Sequence, residues 1–277
     1  MRNRIWLITG ISSGLGKALS DSVMKRGDFV IGTFRSESQV EDFNKSTMES
    51  GYAVHMDMNY EASIVKGVHE IISKFKRIDV LVNNAGIGFV GAIEEASTKE
   101  IRNVFETNFF GALKLTQEVL PYMRKEKSGH IVQISSQGGI NASPGFGVYN
   151  ASKFALEGFS EALEKEVASL GIKVTIVEPG PFRTNFAGNN LVLAESEIND
   201  YDSTAGKLRH NLKSKHGKQD GDPVKASDAI IHMVDDPTAT LRLPLGKIAF
   251  MLIEKKLESV QSDLDMNRKI AEQTSFE

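Results

Sequence analysis

The stretch that most constrains this chain is its first: Ile5-Trp6-Leu7-Ile8-Thr9, followed by Gly10-Ile11-Ser12-Ser13-Gly14-Leu15-Gly16. The apolar run has the length of a strand. Beyond it Leu15, Ala18, Leu19, Val23 and Met24 recur at helical spacing up to Gly27, which suits a helix C-terminus. Strand, glycine loop and helix in this order build the place where a helix N-terminus receives a dinucleotide pyrophosphate. Gly10 permits the tight turn, Gly14 lets phosphates approach the backbone, and Gly16 lets the helix pack close to the sheet. Ser12, Ser13 and Leu15 complete the loop and join the three glycines as expected cofactor contacts.

The same alternation continues. Phe29 to Phe34 is a second strand, ending in Thr33-Phe34-Arg35-Ser36. An acidic residue there would hold the adenosine 2′-hydroxyl of NAD; this chain has none, and Arg35 suits a 2′-phosphate. The reading therefore favours NADPH over NADH. Ala53 to Met56 is a third strand, and Asp57-Met58 at its end is placed to meet the adenine, or Asp57 caps the helix expected from Glu61 to about Phe75. Asp79-Val80-Leu81-Val82 is apolar enough for the middle of a parallel sheet. Asn83-Asn84-Ala85-Gly86 follows, with small residues that let the backbone lie near the cofactor and amides that tie neighbouring strands; Asn83, Ala85 and Gly86 are expected cofactor contacts.

A long helix is expected over Lys99 to Arg124. Its Asn108 and Gly111 go against helix propensity, which predicts a kink or a working asparagine. Gly129 to Ser136 is a further strand, Tyr149 to about Leu170 a helix, and Gly171 to Val177 a strand ending in Pro179-Gly180 and Thr184. Alternation of this kind gives an α/β fold of Rossmann type, a doubly wound parallel sheet in a single domain spanning 1–277.

Tyr149 and Lys153, four apart, share one helix face. A tyrosine is a poor base at neutral pH, but a nearby ammonium favours the phenolate and lowers its pKa. The pair is then an acid–base couple for an alcohol oxygen, and the Ser136 hydroxyl can hold that oxygen.

Composition narrows the remaining classes. The 277 residues are 40% hydrophobic and 25% charged, with a net charge of −3, so nothing points to nucleic acid or an anionic membrane. There is no cysteine, which excludes disulfides and thiolate chemistry and is compatible with a cytoplasmic protein. The six histidines show no ligand spacing, and no metal is expected. No apolar run approaches the length of a membrane span, and Ile5 to Ile8 is too short for a signal-peptide core.

Together the glycine loop Thr9 to Gly16, Asp57, Asn83 to Gly86, Asn108, Ser136, Tyr149-Asn150-Ala151-Ser152-Lys153, and Pro179-Gly180 with Thr184 resemble the short-chain dehydrogenase/reductase family, strongly over residues 4 to 185. The resemblance implies strand order 3-2-1-4-5-6-7, a nicotinamide cofactor, and a catalytic set of Asn108, Ser136, Tyr149 and Lys153. In the mechanism it implies, Tyr149 exchanges a proton with the substrate oxygen, Lys153 holds the nicotinamide ribose, and Asn108 positions a water for proton replacement. Cofactor contacts implied at Tyr149, Lys153, Pro179, Gly180 and Thr184 complete the site. Family members form dimers or tetramers through two long helices, so the resemblance implies a homodimer or homotetramer.

Residues 185–222 change composition and are expected to be a mobile lid over the substrate, with a disordered insertion the alternative for their Lys-rich part. Over 247–272 an amphipathic helix is expected, its stripe of Ile248, Leu252, Leu257, Val260, Leu264 and Ile270 packing on the protein's own body, with a partner subunit the alternative target. Phe89, Phe146, Val148, Phe182 and Phe186 are candidate pocket residues, with a place in the core the alternative, and as pocket lining they suggest an apolar small-molecule carbonyl or secondary alcohol. The reading is thus an NADP(H)-dependent oxidoreductase. A non-catalytic dinucleotide-binding regulator and an isomerase or epimerase with bound nicotinamide are the alternatives.

Overall fold

The computed structural model describes residues 3–187, 190–215 and 217–276. In chain order, β1 (Ile5–Ile8), α1 (Gly14–Lys25), β2 (Phe29–Phe34), α2 (Glu37–Ser46), β3 (Gly51–His55) and α3 (Glu61–Phe75) make the first half of the sheet. Next come β4 (Val80–Asn83), β5 (Gly88–Val90), α4 (Thr98–Phe105), α5 (Gly111–Glu126), β6 (Gly129–Ile134), α6 (Gly147–Val167) and β7 (Ile172–Pro179). The chain closes with β8 (Leu191–Leu193), α7 (Lys207–Lys215), α8 (Pro223–Asp235), β9 (Arg242–Leu245) and α9 (Lys247–Glu272).

Seven strands form one parallel sheet in the order β3-β2-β1-β4-β6-β7-β9. Counting only these strands, the order is 3-2-1-4-5-6-7, as the family resemblance implies. The two strands the sequence does not announce, β5 and β8, are three residues each and pair parallel in a separate ribbon, Gly88 opposite Leu191. The strand order reverses between β1 and β4, and that switch point opens a crevice at their C-terminal ends.

Both sheet faces are covered, which is why the central strands are apolar throughout rather than alternating. Leu7, Leu81 and Ile131 face a layer holding Ile64, Val68, Leu115 and Leu163 from α3, α5 and α6. Trp6, Ile8, Val80 and Val132 face the other layer, with Leu19, Val23 and Ile230 from α1 and α8. Asp222 caps α8 by accepting from the amides of Val224 and Lys225, and Pro223 occupies the first turn, where its missing N–H costs nothing.

The long helix expected over 99–124 is α4 and α5 joined by a π-turn over Glu106–Phe110, centred on Asn108. Gly111 follows at once. A Cβ there would stand 2.5 Å from the carbonyl oxygen of Met58, so only glycine lets the helix lie against the loop after β3. Both residues that defy propensity thus mark the same local distortion.

The C-terminal helix departs from expectation. Ala249 and Ile253 bury its root, but Leu257 and Leu264 are each 60% exposed and Ile270 is 63% exposed. The first two turns use up the body against which α9 can pack; past Glu254 the helix runs beyond its edge, and the stripe does not pack on the protein itself.

The 185–222 segment is a folded flap. It contributes β8 to the ribbon and α7 above the crevice; Gly188, Asn189 and His216, which fall within it, lie outside the described residues. Glu95 anchors the flap. Its buried carboxylate accepts from the amides of Ala92 (2.7 Å) and Ile198 (2.9 Å) and from Arg209 Nη2 (2.9 Å). Those donors hold the carboxyl below its usual range, against the burial that opposes them. Tyr201 Oη donates to Glu94 at 2.6 Å beside them.

Candidate active site

At the switch point lies a cavity of about 590 Å³ that runs from the glycine loop to the flap. Gly10, Ser12, Ser13, Gly14 and Leu15 line one end. Gly10 and Gly14 have φ of +70° and +62°, where any side chain would be strained. A Cβ on Gly14 would meet Thr184 at 3.5 Å, so this glycine keeps the gap between the loop and the far wall open. Gly16 is off the wall: a Cβ there would lie 2.3 Å from Asn84 Nδ2, and its task is close packing. Thr9, which the sequence reading did not place in the site, stitches the loop to β4: its Oγ1 accepts from the amides of Asn84 and Ala85, both at 2.9 Å.

Arg35 is exposed at the cavity rim and has no carboxylate within ion-pair distance among the described residues. Asp57 does not cap α3, whose first turn follows Tyr60; its Oδ1 accepts from the amide of Asn59 at 3.0 Å. Asp57, Met58, Ala85, Gly86, Pro179, Gly180 and Thr184 all line the cavity. Asn83 does not. Its Nδ2 donates to Thr116 Oγ1 at 3.0 Å behind the sheet, and the neighbouring Asn84 faces the cavity, donating to the carbonyls of Thr9 and Gly10. Alternation along β4 sends the two amides to opposite sides. Asn83 therefore ties β4 to α5, and Asn84 both ties the end of β4 to that of β1 and faces the cavity.

Ser136, Tyr149 and Lys153 converge on the other end. Ser136 follows β6, and its Oγ accepts from the amide of Gly138 at 3.0 Å, which leaves its own proton to donate. Tyr149 and Lys153 sit one turn apart in the first turns of α6. Lys153 Nζ donates to the carbonyl of Ile134 at 2.8 Å. Asn108 is buried beside them: Oδ1 accepts from Ile87 N (2.8 Å), and Nδ2 donates to Ile87 O (2.9 Å) and Ser152 Oγ (3.0 Å). Both amide protons and one lone pair of its oxygen are thus engaged in fixing the wall.

Electrostatics depart from the sequence reading. Burial pushes the Tyr149 phenol up to about 12, with a hydrogen bond from Ser136 opposing it, and no lowering from Lys153 is seen. Lys153 Nζ is 6.0 Å from the ring centroid. Burial also lowers the lysine to about 8, against the favourable charge of Glu157. Desolvation outweighs the pairwise attraction because both groups are enclosed. At neutral pH the phenol holds its proton and the lysine is still an ammonium.

Asn150, inside the Tyr149–Lys153 turn, was not singled out as a site residue. It donates to the Gly138 carbonyl at 2.8 Å and accepts from the Ser143 amide at 3.0 Å. It thereby clamps the loop that carries Ser136 to the helix that carries Tyr149. An asparagine in a helix is the signal that was available. Of the candidate pocket residues, Phe146, Phe182 and Phe186 line the cavity, and Phe89 and Val148 are core beneath it. Leu208 and Leu212 from α7 form an apolar roof.

The sequence profile of the short chain dehydrogenases matches residues 4–191. The 3-ketodihydrosphingosine reductase of Bacteroides thetaiotaomicron is 39% identical over 258 residues, covering 92% of each chain. A short-chain dehydrogenase crystal structure from Streptomyces avermitilis superposes with a TM-score of 0.93 at 39% identity, covering 99% of this chain and all of that one. A variant of the actinorhodin polyketide ketoreductase solved with NADPH gives 0.73 at 26% identity, over 88% and 95% of the two chains. The chain belongs to the short-chain dehydrogenase/reductase family and is an oxidoreductase of that family.

Proposed function

We propose that this oxidoreductase uses NADP(H) to reduce the carbonyl of an apolar, elongated substrate, or to oxidise the matching secondary alcohol. The observation that carries the reading is the meeting of Ser136, Tyr149 and Lys153 at one end of a cavity whose other end is the glycine loop. The residues present fit a dinucleotide. Gly10 and Gly14 leave a cradle that a Cβ would fill or strain, and Arg35 offers an unpaired guanidinium where a 2′-phosphate would lie. Gly10 to Leu15 would hold the pyrophosphate, Asp57 and Met58 the adenine end, and Lys153 with Pro179, Gly180 and Thr184 the nicotinamide end. When bound, the dinucleotide supplies or accepts the hydride.

The chain's own groups handle the proton. Ser136 Oγ, held in place by the Gly138 amide it accepts from, gives its own proton to the substrate oxygen. The Tyr149 phenol, protonated at neutral pH, gives its proton to that oxygen as negative charge develops there. The Lys153 ammonium stabilises the phenolate left behind. Asn108 and Asn150 are positioning residues that keep the wall and the Ser136 loop in register. Phe146, Phe186, Leu208 and Leu212 exclude water and select an apolar chain; the likeness to a 3-ketodihydrosphingosine reductase supports that class.

The test is a series of ketones of rising chain length with NADPH and NADH in parallel. The expected result is a kcat/KM that rises with chain length and is higher with NADPH. Reaction only with small charged ketones, or a preference for NADH, overturns the substrate or cofactor half respectively.

A further inference from the structure

The distal part of α9 presents an apolar seam that the body does not cover. From Ile253 onward the series Ile253, Leu257, Val260, Leu264, Asn267, Ala271 advances by alternating steps of four and three. That is the 3.5-residue period of a heptad seam, narrower than the stripe by which a helix lies on a globular surface. Ile253 is buried at the root, but Leu257, Val260 and Leu264 are exposed, and so is Phe250, one step earlier in the same series. The uncovered face therefore begins at the body and runs along the free helix.

Charge decides what covers it. Residues 247–272 carry five basic and five acidic side chains, so the helix lacks the positive face that draws an amphipathic helix to an anionic membrane. The pattern is self-complementary instead. We propose that this face pairs with α9 of a second copy of this chain, in parallel and in register, as a short two-stranded coiled coil. In that arrangement Asp263 and Arg268 hold the seam-flanking positions that meet across the two strands, and the two-fold axis repeats the pair. Arg268 contacts Asp265 of its own helix at 3.0 Å, with both side chains more than half exposed, so it exchanges partners at little cost. Asn267 is the one polar residue in the seam, a device that fixes register at some cost in affinity.

Sedimentation velocity on the full chain tests this, with circular dichroism to confirm folding of each variant. The unaltered protein self-associates, and Leu257→Glu/Leu264→Glu lowers its mass by one assembly step. Asp263→Arg weakens association about tenfold by setting two like-charge pairs across the strands, and Asp263→Arg/Arg268→Asp restores it. An unaltered protein that stays monomeric at about 100 μM, weaker than any working dimer, overturns the proposal. So does an unchanged mass in the folded double-glutamate variant. Failure of the charge swap to recover what Asp263→Arg loses overturns the parallel register. Co-sedimentation of a monomeric protein with phosphatidylglycerol vesicles assigns the seam to lipid and likewise overturns it.

Discussion

The cavity has two walls built on different principles. On the sheet side, Ser136, Tyr149, Lys153 and Asn108 project from β6, α6 and the π-turn, and almost every polar atom is tied to backbone: Ser136 to Gly138, Lys153 to Ile134, Asn108 to Ile87. On the flap side, Phe186, Leu208 and Leu212 meet the cavity with apolar surface, and the polar Asn190 and Gln219 line its edges. The flap is tied down at its periphery, by the Glu95–Arg209 pair and by the β5–β8 ribbon. A reacting group must be placed within a fraction of an ångström, which backbone hydrogen bonds to a sheet provide. A selecting surface needs only shape and apolarity, which a peripherally anchored flap provides.

If that division holds, changes on the two walls separate kcat from KM. Tyr149→Phe removes the acid and lowers turnover by about a thousandfold, with dinucleotide binding retained by fluorescence titration. Wild-type-like turnover in that variant refutes the assignment. Next in size is pH. Because Lys153 is lowered to about 8, it is charged below that pH and neutral above it. Carbonyl reduction then falls about tenfold per pH unit beyond that point, whereas alcohol oxidation, which needs the phenolate, rises with pH. A pH-independent reduction rate up to pH 10 removes the Lys153 charge as the stabiliser of the phenolate. Arg35→Ala weakens NADPH about tenfold in KM and leaves NADH unchanged, the loss of one charge-assisted phosphate contact. Equal losses with both dinucleotides break the 2′-phosphate argument. Smallest is the roof: Leu208→Ala raises KM about fivefold for long apolar ketones and leaves short ones unaffected, with kcat constant. A fall in kcat for short ketones means the walls are not independent.

Most of the sheet and the catalytic wall is legible in the sequence because it is encoded locally. The apolar strands, the glycine loop and the four-residue spacing of Tyr149 and Lys153 are each readable within a dozen residues. Asn108 and Gly111 stood out by opposing helix propensity, and both mark the π-turn. What was not legible depends on distant partners. Glu95 and Arg209 are 114 positions apart, and nothing near either announces a buried ion pair. The enclosure of the phenol is hidden for the same reason: spacing shows the lysine, and only the fold shows the burial that pushes the phenol up. Periodicity found the α9 stripe but not what lies opposite it, because periodicity contains no information on where the body ends.

The flap is closed at both ends by main-chain pairing: the Leu191–Leu193 ladder on β5 at its start and the Phe182–Gly221 bridge at its finish. Between these two stitches Arg209 ties the flap to Glu95, whereas Ser136 and Lys153 make their hydrogen bonds with Gly138 and Ile134. The molecule is in this sense a fixed reactor with an exchangeable cassette. An engineer grafting a foreign cassette has two natural seams at which to cut.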